Sequence, residues 1–415
     1  MAYQVFGDPT GDAKSTPDPT RRRLSEQSSA LSSRMVRWLR NRKAILLIAI
    51  AFRILLIPWV LNRLGTPANH FQGNEPSHIA AHLLRGEGFA SPFTDLAIPT
   101  AQQPPLYPLF MAGIFLLFGA FSKFSLYTLL AINAFAGGLT ASFLYKAALK
   151  HGSERVALLS AWAWAILAPI AVTDITLSSY AFATLAVALW LNFVPDLAPR
   201  ARNWILLGVA IALMLLLNPM LALLIPASVC WLNRKQALVM LATALLCLAP
   251  WYARNYRVMG HFYPALRDNL GMELYLGNHA GMSGTCDYWT GESPYGSALP
   301  RLGEAQFFEA RYWDAVAFIQ AEPKAFLARS LKRFAAFWFS PWPALYVILL
   351  VLAGWGMRRA RRDLAVFTAT LFVLYPMVFY VTQAAWPTAY RHPIEPLILV
   401  MAMTPVAQVI ANKRV

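Results

Sequence analysis

The side chains best suited to acid–base chemistry lie in a polar stretch, residues 74–108, that separates two apolar segments. It begins NEPSHIAAHLLRGEGF. Asn74 can cap a helix, Glu75 suits its first turn, and Gly86 or Gly88 can end it. A carboxylate partly removed from water has a raised pKa, which would let Glu75 accept a proton in a reaction. The structural alternative is an acid that stabilises the helix dipole by about 0.3–1 kcal/mol.

A metal site is the second chemistry that this stretch allows. Glu75, His78 and His82 follow i, i+3, i+7 spacing, so one face of a helix would carry all three. The sequence offers no evident fourth ligand, and the three cysteines form no CxxC pair. We therefore expect that no cofactor is required, with a divalent metal as the less favoured alternative.

Positive side chains suited to holding phosphate follow a later apolar segment, in PWYARNYRVMGHFYPALRDNLGMELYLGNHAG. Guanidinium groups match phosphate oxygens bidentately, so we expect at least one of Arg254, Arg257 and Arg267 to bind phosphate. The alternative role for these arginines is anchoring at the membrane interface. Glu273 and Asn278, later in the same stretch, are candidate sugar or acceptor contacts.

A third polar patch, WPTAYRHPIEP, precedes the last apolar segment. Arg391 and His392 fall on the side of the membrane where orientation alone does not require positive charge. Both are therefore candidate substrate-binding residues. Two roles stay open for Arg391, since it could hold phosphate or pair with Glu395.

Composition indicates which kind of protein positions these residues. Of the 415 residues, 58% are hydrophobic and 13% are charged, whereas a soluble domain carries about 25% charged residues. Runs such as 44–61 and 364–382 are long enough to cross a bilayer. The sequence predicts an all-α polytopic membrane protein, a bundle of transmembrane helices whose extracytoplasmic loops carry short interfacial helices.

The net charge of +16 is concentrated beside apolar segments, at 21–43 and 358–362. This is the pattern by which basic residues fix orientation in a membrane, so we expect membrane lipids and no nucleic acid as partners. Further apolar segments lie at 104–119, 124–149, 156–172, 175–194, 203–217, 220–232, 236–252, 344–356 and 393–410. Basic and polar loops alternate between these segments if 104–119 does not fully cross the membrane.

The same pattern divides the chain into four parts. Residues 1–43 are expected to form a disordered basic tail in the cytosol, and 44–252 an N-terminal transmembrane module with a catalytic external loop at 64–103. Residues 253–342 are expected outside the cytosol, with an amphipathic helix at 307–339, and 343–415 form C-terminal transmembrane helices.

The order of the motifs resembles the membrane-embedded GT-C glycosyltransferases. An acid that opens the first external loop is followed by LLRGEGF and then by PTAQQPPLYPLFMAGIFLLFG. The likeness is to the family 39-like group, which includes protein O-mannosyltransferases and lipid A aminoarabinose transferases. PWYARNY followed by LRDNLGMELYLGNH resembles a bacterial subgroup, and the resemblance covers most of residues 44–411.

This resemblance implies transfer of a sugar from a polyprenyl-phosphate carrier to an extracytoplasmic glycan, lipid or protein acceptor. Glu75 matches the acid that serves as catalytic base. Gln102 and Gln103 match a segment where relatives place an acidic or basic pair before PPL, but here both side chains are neutral amides. With Tyr107 and His78 they complete the candidate substrate-binding residues. A bacterial inner membrane is the expected location, with the N-terminus cytosolic and the active site outside.

Where the family often has a Ser-Glu pair, this chain has Ser179 and Tyr180, with Asp174 nearby. That departure argues against a second, metal-binding carboxylate. It also leaves open an inactive scaffold of the same shape. A transporter is the remaining alternative, compatible with Arg53 inside the first apolar segment and the helix-interrupting Asn218-Pro219 pair. An enzyme is favoured because polar residues concentrate in the external loops.

Overall fold

The computed structural model describes residues 40–64, 70–196, 200–263, 265–282 and 298–412. The tail predicted at 1–43 therefore lies almost wholly outside the described residues. Within them the regular structure is helical, with one isolated antiparallel bridge between Ala90 and Pro99.

The first half of the described chain runs from α1 to α9, and the second from α10 to α18. The first-half helices are α1 (Arg42–Leu64), α2 (Glu75–Leu84), α3 (Leu106–Phe118), α4 (Lys123–His151), α5 (Glu154–Ile166), α6 (Ala168–Asp174), α7 (Tyr180–Phe193), α8 (Ala201–Leu217) and α9 (Leu224–Ala227). The second-half helices are α10 (Arg234–Met259), α11 (Leu270–Gly277), α12 (Ala298–Leu302), α13 (Glu304–Ala321), α14 (Pro323–Phe339), α15 (Pro343–Met357), α16 (Arg362–Val381), α17 (Pro387–Arg391) and α18 (Glu395–Asn412).

Five of the described helices are long and apolar enough to cross a membrane: α1, α4, α10, α16 and the segment Pro387–Asn412. Two bent pairs pass the same test, α5 with α6 at 63° and α14 with α15 at 82°. The protein is an integral membrane protein, and the predicted all-α polytopic class is confirmed.

Helix α3 is too short to cross a membrane unaided. It has 13 residues, which span about 20 Å at a rise of about 1.5 Å per residue, against a bilayer core of about 30 Å. Helices α7 and α8, with 14 and 17 residues, are also shorter than that core, so the incomplete crossing of 104–119 stays a prediction.

Side-chain contacts join the helix ends at one end of the bundle. Arg40 lies 3.8 Å from Glu154, and Lys150 lies 2.6 Å from Asp196. Trp231 Nε1 also donates to Asp363 at 3.0 Å, beside the basic cluster at 358–362. We call this the basic end of the bundle.

The apolar segment at 220–232 does not form one regular helix, so the expectation of a helix there is wrong. Two 3₁₀ turns, Pro219–Leu223 and Ser228–Cys230, flank the four-residue α9. Pro219 and Pro226 have no N–H to donate to a helical hydrogen bond, so the segment is irregular where a continuous helix was expected.

The single amphipathic helix expected at 307–339 is also wrong, because two helices replace it. Helix α13 ends at Ala321 and α14 begins at Pro323. Proline clashes with a helical residue before it, and Glu322 accordingly adopts φ −128° and ψ 58°.

Buried charges tie α1, α6 and the last helices together. Arg53 Nε lies 2.7 Å from Asp174 Oδ2, and His392 Nε2 lies 2.8 Å from Asp174 Oδ1. Arg53 also donates to three backbone carbonyls in α1 and α5. A Cβ at Gly137 would collide with both Arg53 and Asp174, so glycine is needed there. Arg53, which had suggested a transporter, is thus fully paired inside the protein.

Candidate active site

The start of α2 is fixed by Asn74, as the sequence predicted. Its side chain accepts a hydrogen bond from the Ser77 backbone N–H at 3.1 Å. Its amide nitrogen donates to the Leu177 carbonyl at 2.6 Å, which ties α2 to the turn after α6. Glu75 is therefore held, half-buried, at the first position of a short helix.

The amides of Gln102 and Gln103 both donate to one oxygen of Glu75, Oε2. The Gln102 distance is 3.2 Å. Within the described residues no hydrogen bond reaches the other oxygen, Oε1. The neutral amides of Gln102 and Gln103 thus orient the carboxylate, and Oε1 has no partner among the described residues.

The surroundings of Glu75 make it a stronger base than an ordinary carboxylate. Burial raises its pKa, and the negative charge of Glu273 adds to the rise. The Arg267 guanidinium and the two amide donors act in the opposite direction. Desolvation is the largest of these effects, so the pKa lies above its usual value.

Arg267 and Glu273 are near enough to Glu75 for their charges to shift its pKa, and other groups hold both side chains in place. Arg267 Nε donates to the Gln102 carbonyl at 2.7 Å, and its terminal nitrogen lies 3.7 Å from Glu273 Oε1. Asn269 donates to Oε1 of Glu273, and Gln383 donates to Oε2, each at 2.7 Å. The candidate site therefore combines a carboxylate base, a half-buried arginine and a second carboxylate.

The other arginines are placed differently. Arg254 donates to the carbonyls of Thr100 and Phe89, and its guanidinium lies over the Phe89 ring. It holds the loop before α3 rather than facing the space beside Glu75. Arg257 is exposed near the end of α10.

Arg391 is fully buried, and its role is structural. Its Nε lies 3.2 Å from Glu395, and its other nitrogens donate to the carbonyls of Phe337 and Ser340. Its guanidinium lies 3.5 Å from the centre of the Tyr346 ring. The sequence left phosphate binding and pairing with Glu395 open for Arg391, and the structure shows the pair with Glu395.

Three more of the predicted residues are not brought to the site. His392 is buried between Asp174 and Glu395. Asn278 is buried and donates to carbonyls at the ends of two helices. Tyr107 is only 2% exposed and packs beside Phe182.

His78 lies on α2 near Glu75, half-buried against Phe121, and burial lowers its pKa.

No cluster of three or more histidine, cysteine or acidic side chains that could hold a metal occurs among the described residues. His82, which was part of the predicted trio, lies 2.6 Å from Glu87. Asp174 is occupied by Arg53 and His392.

Sequence reasoning missed Gln383, Arg333 and Glu304. Gln383 contacts Glu273 directly, whereas Arg333 and Glu304 hold the backbone on either side of the site. Gln383 is a polar residue just after an apolar stretch, whereas Arg333 and Glu304 stand among other polar residues that gave no reason to single them out.

No family model matches the chain, and no curated protein matches it either. Several solved structures match the chain. Oligosaccharyltransferase AglB of Archaeoglobus fulgidus, in complex with an inhibitory peptide and a dolichol-phosphate, has a TM-score of 0.50 at 15% identity, covering 90% of this chain and 51% of that one. An Archaeoglobus fulgidus oligosaccharyltransferase in the apo form has a TM-score of 0.48 at 16% identity, covering 90% of this chain and 51% of that one.

ArnT of Cupriavidus metallidurans, bound to undecaprenyl phosphate, has a TM-score of 0.47 at 14% identity, covering 88% of this chain and 59% of that one. The chain spans about half the length of the archaeal proteins that it matches. At such identities, the likeness to AglB shows a shared fold and nothing finer.

Proposed function

We propose that this chain, an integral membrane protein with the GT-C fold, is a glycosyltransferase that uses a polyprenyl-phosphate-linked sugar as donor. The sugar would pass to a hydroxyl or amine of an extracytoplasmic glycan, lipid or protein. The archaeal protein of the same fold is solved with a dolichol-phosphate, which supports a lipid-phosphate donor here.

The reaction is a displacement at the anomeric carbon of the donor sugar. The acceptor oxygen or nitrogen forms a bond to that carbon while the bond from carbon to phosphate oxygen breaks. The acceptor's proton goes to a base, and the polyprenyl phosphate leaves with the electron pair. Such a reaction needs a carboxylate beside the acceptor and a cation beside the phosphate.

Glu75 is proposed as the base. The observation that carries the proposal is that both glutamine amides bind Oε2, so Oε1 can accept the proton. A raised pKa makes the carboxylate a better proton acceptor once it is ionised. The Arg267 charge and the two amide donors act against this rise.

Arg267 is proposed as the phosphate ligand. Arg254 and Arg391 donate to backbone carbonyls, and Arg257 lies exposed near the end of α10. Arg267 alone of the four influences the pKa of Glu75, and its terminal nitrogens make only the 3.7 Å approach to Glu273 within the described structure. It could therefore hold the leaving phosphate close to the base.

The positive-inside rule supports an orientation in which the basic end faces the cytosol of a bacterium and the Glu75 end faces outward across the inner membrane. Three of the four predicted parts, 44–252, 253–342 and 343–415, fall mostly within the described residues and fit this proposal. One boundary changes, since α10 continues to Met259.

The test is a transfer assay on purified protein in detergent, with a panel of radiolabelled polyprenyl-phosphate sugars and an acceptor mixture. The wild type should transfer or release sugar from one donor, and Glu75→Gln should lose about 10²–10⁴-fold in rate. Asp95→Asn, an exposed acid of the same loop, is the matched control and should retain wild-type activity. An unchanged rate in Glu75→Gln, or no donor binding by the wild type, would overturn the proposal.

A further inference from the structure

The loop that carries Gln102 and Gln103 is held by side chains from distant parts of the chain. Its only regular pairing is the bridge between Ala90 and Pro99. Arg254 donates to the Thr100 carbonyl, and the Asp268 backbone N–H donates to the Ala101 carbonyl at 3.0 Å. The positions of the two glutamines are thus set by tertiary contacts.

The most complete of these contacts is made by Glu304, at the first position of α13. Its Oε1 accepts from the Ala101 backbone N–H at 2.7 Å, and its Oε2 accepts from the Thr100 hydroxyl. Glu304 is 3% exposed and Thr100 is fully buried. A buried carboxylate that accepts from both residues fixes the backbone immediately before Gln102.

The Thr100 hydroxyl links Glu304 to the backbone of Gln102. It donates to Glu304 and accepts from the Gln102 backbone N–H at 3.0 Å. The Gln102 side chain then donates to Glu75, and its carbonyl accepts from Arg267. A continuous chain of hydrogen bonds therefore runs from α13 to the proposed base and the proposed phosphate ligand.

We propose that Glu304 is a positioning residue, which acts through Thr100 to hold Gln102 and Gln103 against Oε2 of Glu75. This inference rests on the proposed function, because it assigns Glu304 a part in setting the basicity of Glu75. Loss of the tether would let the amides withdraw. Their hydrogen bonds lower the pKa of Glu75, so that pKa would then rise.

Glu304 interacts electrostatically with a small group of buried titratable side chains. Burial raises the pKa of Glu304 to about 8 and that of Asp268 to about 7. Arg254 opposes the rise at Glu304, while Asp268 adds to it. Asp268 in turn faces Tyr263 and Glu309. Glu304 can bond to both residues in either protonation state: Oε1 accepts from the Ala101 N–H, and Oε2 accepts from the Thr100 hydroxyl when ionised or donates to its oxygen when protonated.

The test compares Thr100→Val, which removes the hydroxyl at nearly constant volume, with Thr100→Ser, which restores it. Glu304→Leu, which removes both oxygens, tests the same tether from the other side, should Thr100→Val fail to fold. Thr94→Val is the matched control, because that hydroxyl lies in the same loop but caps the Leu96 backbone N–H instead.

Two readouts are needed. The first is hydrogen exchange of the peptide that contains Ala101 and Gln102, which should be about three- to tenfold faster in Thr100→Val and Glu304→Leu. The second is the pH dependence of kcat for sugar transfer. Its acidic limb should move to higher pH in the same variants, return to the wild-type position in Thr100→Ser, and stay unchanged in Thr94→Val.

Wild-type exchange together with an unmoved acidic limb in Thr100→Val and Glu304→Leu would overturn the inference. Faster exchange without a shift of the limb would overturn the link to Glu75. If the wild type transfers no sugar, the proposed function fails, whereas the exchange experiment still decides whether Glu304 holds the loop.

Discussion

Gln383 Nε2 donates to Glu273 Oε2 at 2.7 Å and so joins the residues just after α16 to α11, beside the proposed base. The same amide donates to the Tyr390 hydroxyl at 2.9 Å. Gln383 therefore bridges Glu273 and Tyr390. This bridge exists because the C-terminal ends of α11 and α16 meet.

Arg333 holds those two helix ends together. Fully buried, it donates to the Gly277 carbonyl at 2.9 Å and to the Thr382 carbonyl at 2.8 Å. It also donates to the Asn278 side chain at 3.1 Å. The partial negative charge at a helix C-terminus stabilises a cation, and here two helix ends share one guanidinium.

Replacing Arg333 should therefore destabilise the protein. Arg333→Gln leaves several buried carbonyls without donors, each costing about 1–3 kcal/mol. We expect the Tm in detergent to fall by at least about 3 °C. Lys332→Gln, the exposed neighbouring residue, is the control and should keep the wild-type Tm. An equal Tm for both variants would contradict the role assigned to Arg333.

The pH dependence of transfer should report the pKa of Glu75. A base must be ionised, so kcat/KM should fall as pH falls through a pKa above the ordinary carboxylate value. Gln103→Leu removes one donor to Oε2, which raises that pKa further and moves the fall to higher pH.

The measurement is a pH profile of initial transfer rates. Gln72→Leu, an exposed glutamine just before α2, is the matched control and should give the wild-type profile. A Gln103→Leu profile that coincides with the wild type would show that this amide does not tune the base.

Arg267 should govern affinity for the lipid phosphate. Charge-assisted hydrogen bonds contribute about 1.5–3 kcal/mol, so Arg267→Gln should weaken binding of polyprenyl phosphate by about 10–100-fold. Arg267→Lys keeps the charge without the bidentate geometry and should have an intermediate affinity.

Equilibrium binding of a radiolabelled polyprenyl phosphate in detergent measures this directly, without turnover. Arg257→Gln serves as the control, since Arg257 is exposed near the end of α10. If Arg257→Gln weakened binding as much as Arg267→Gln, the phosphate would have to lie closer to the end of that helix.

Several features could be predicted because their causes are local in the sequence. Asn74 caps α2 through a bond to Ser77, three residues away, and Gly86 and Gly88 adopt the positive φ that ends such helices. Long apolar runs predicted the membrane helices since length and hydropathy are properties of a single segment. The two segments predicted wrongly, 220–232 and 307–339, are interrupted by prolines, and the pattern of apolar residues does not show these interruptions.

The identity of the phosphate-binding arginine depends on contacts that no local pattern reveals. Arg254, Arg267 and Arg391 have the same side chain, yet Arg254 is committed to a carbonyl 154 residues away and Arg391 to one 54 residues away. Among these three arginines, Arg267 is the one whose charge is a main influence on the pKa of Glu75, which it lowers. The folded chain distinguishes them, because hydrogen bonding to backbone carbonyls depends on which segments meet.

The sequence by itself determined that a membrane bundle presents Glu75 at the start of a short helix, because composition, periodicity and capping act over a few residues. Only the tertiary structure decided what surrounds that carboxylate. Gln103 reaches it across 28 residues, and Glu304 holds the adjoining loop across 203. Burial and hydrogen bonding set the pKa of an acid, and both arise from residues that are distant in the chain until it folds.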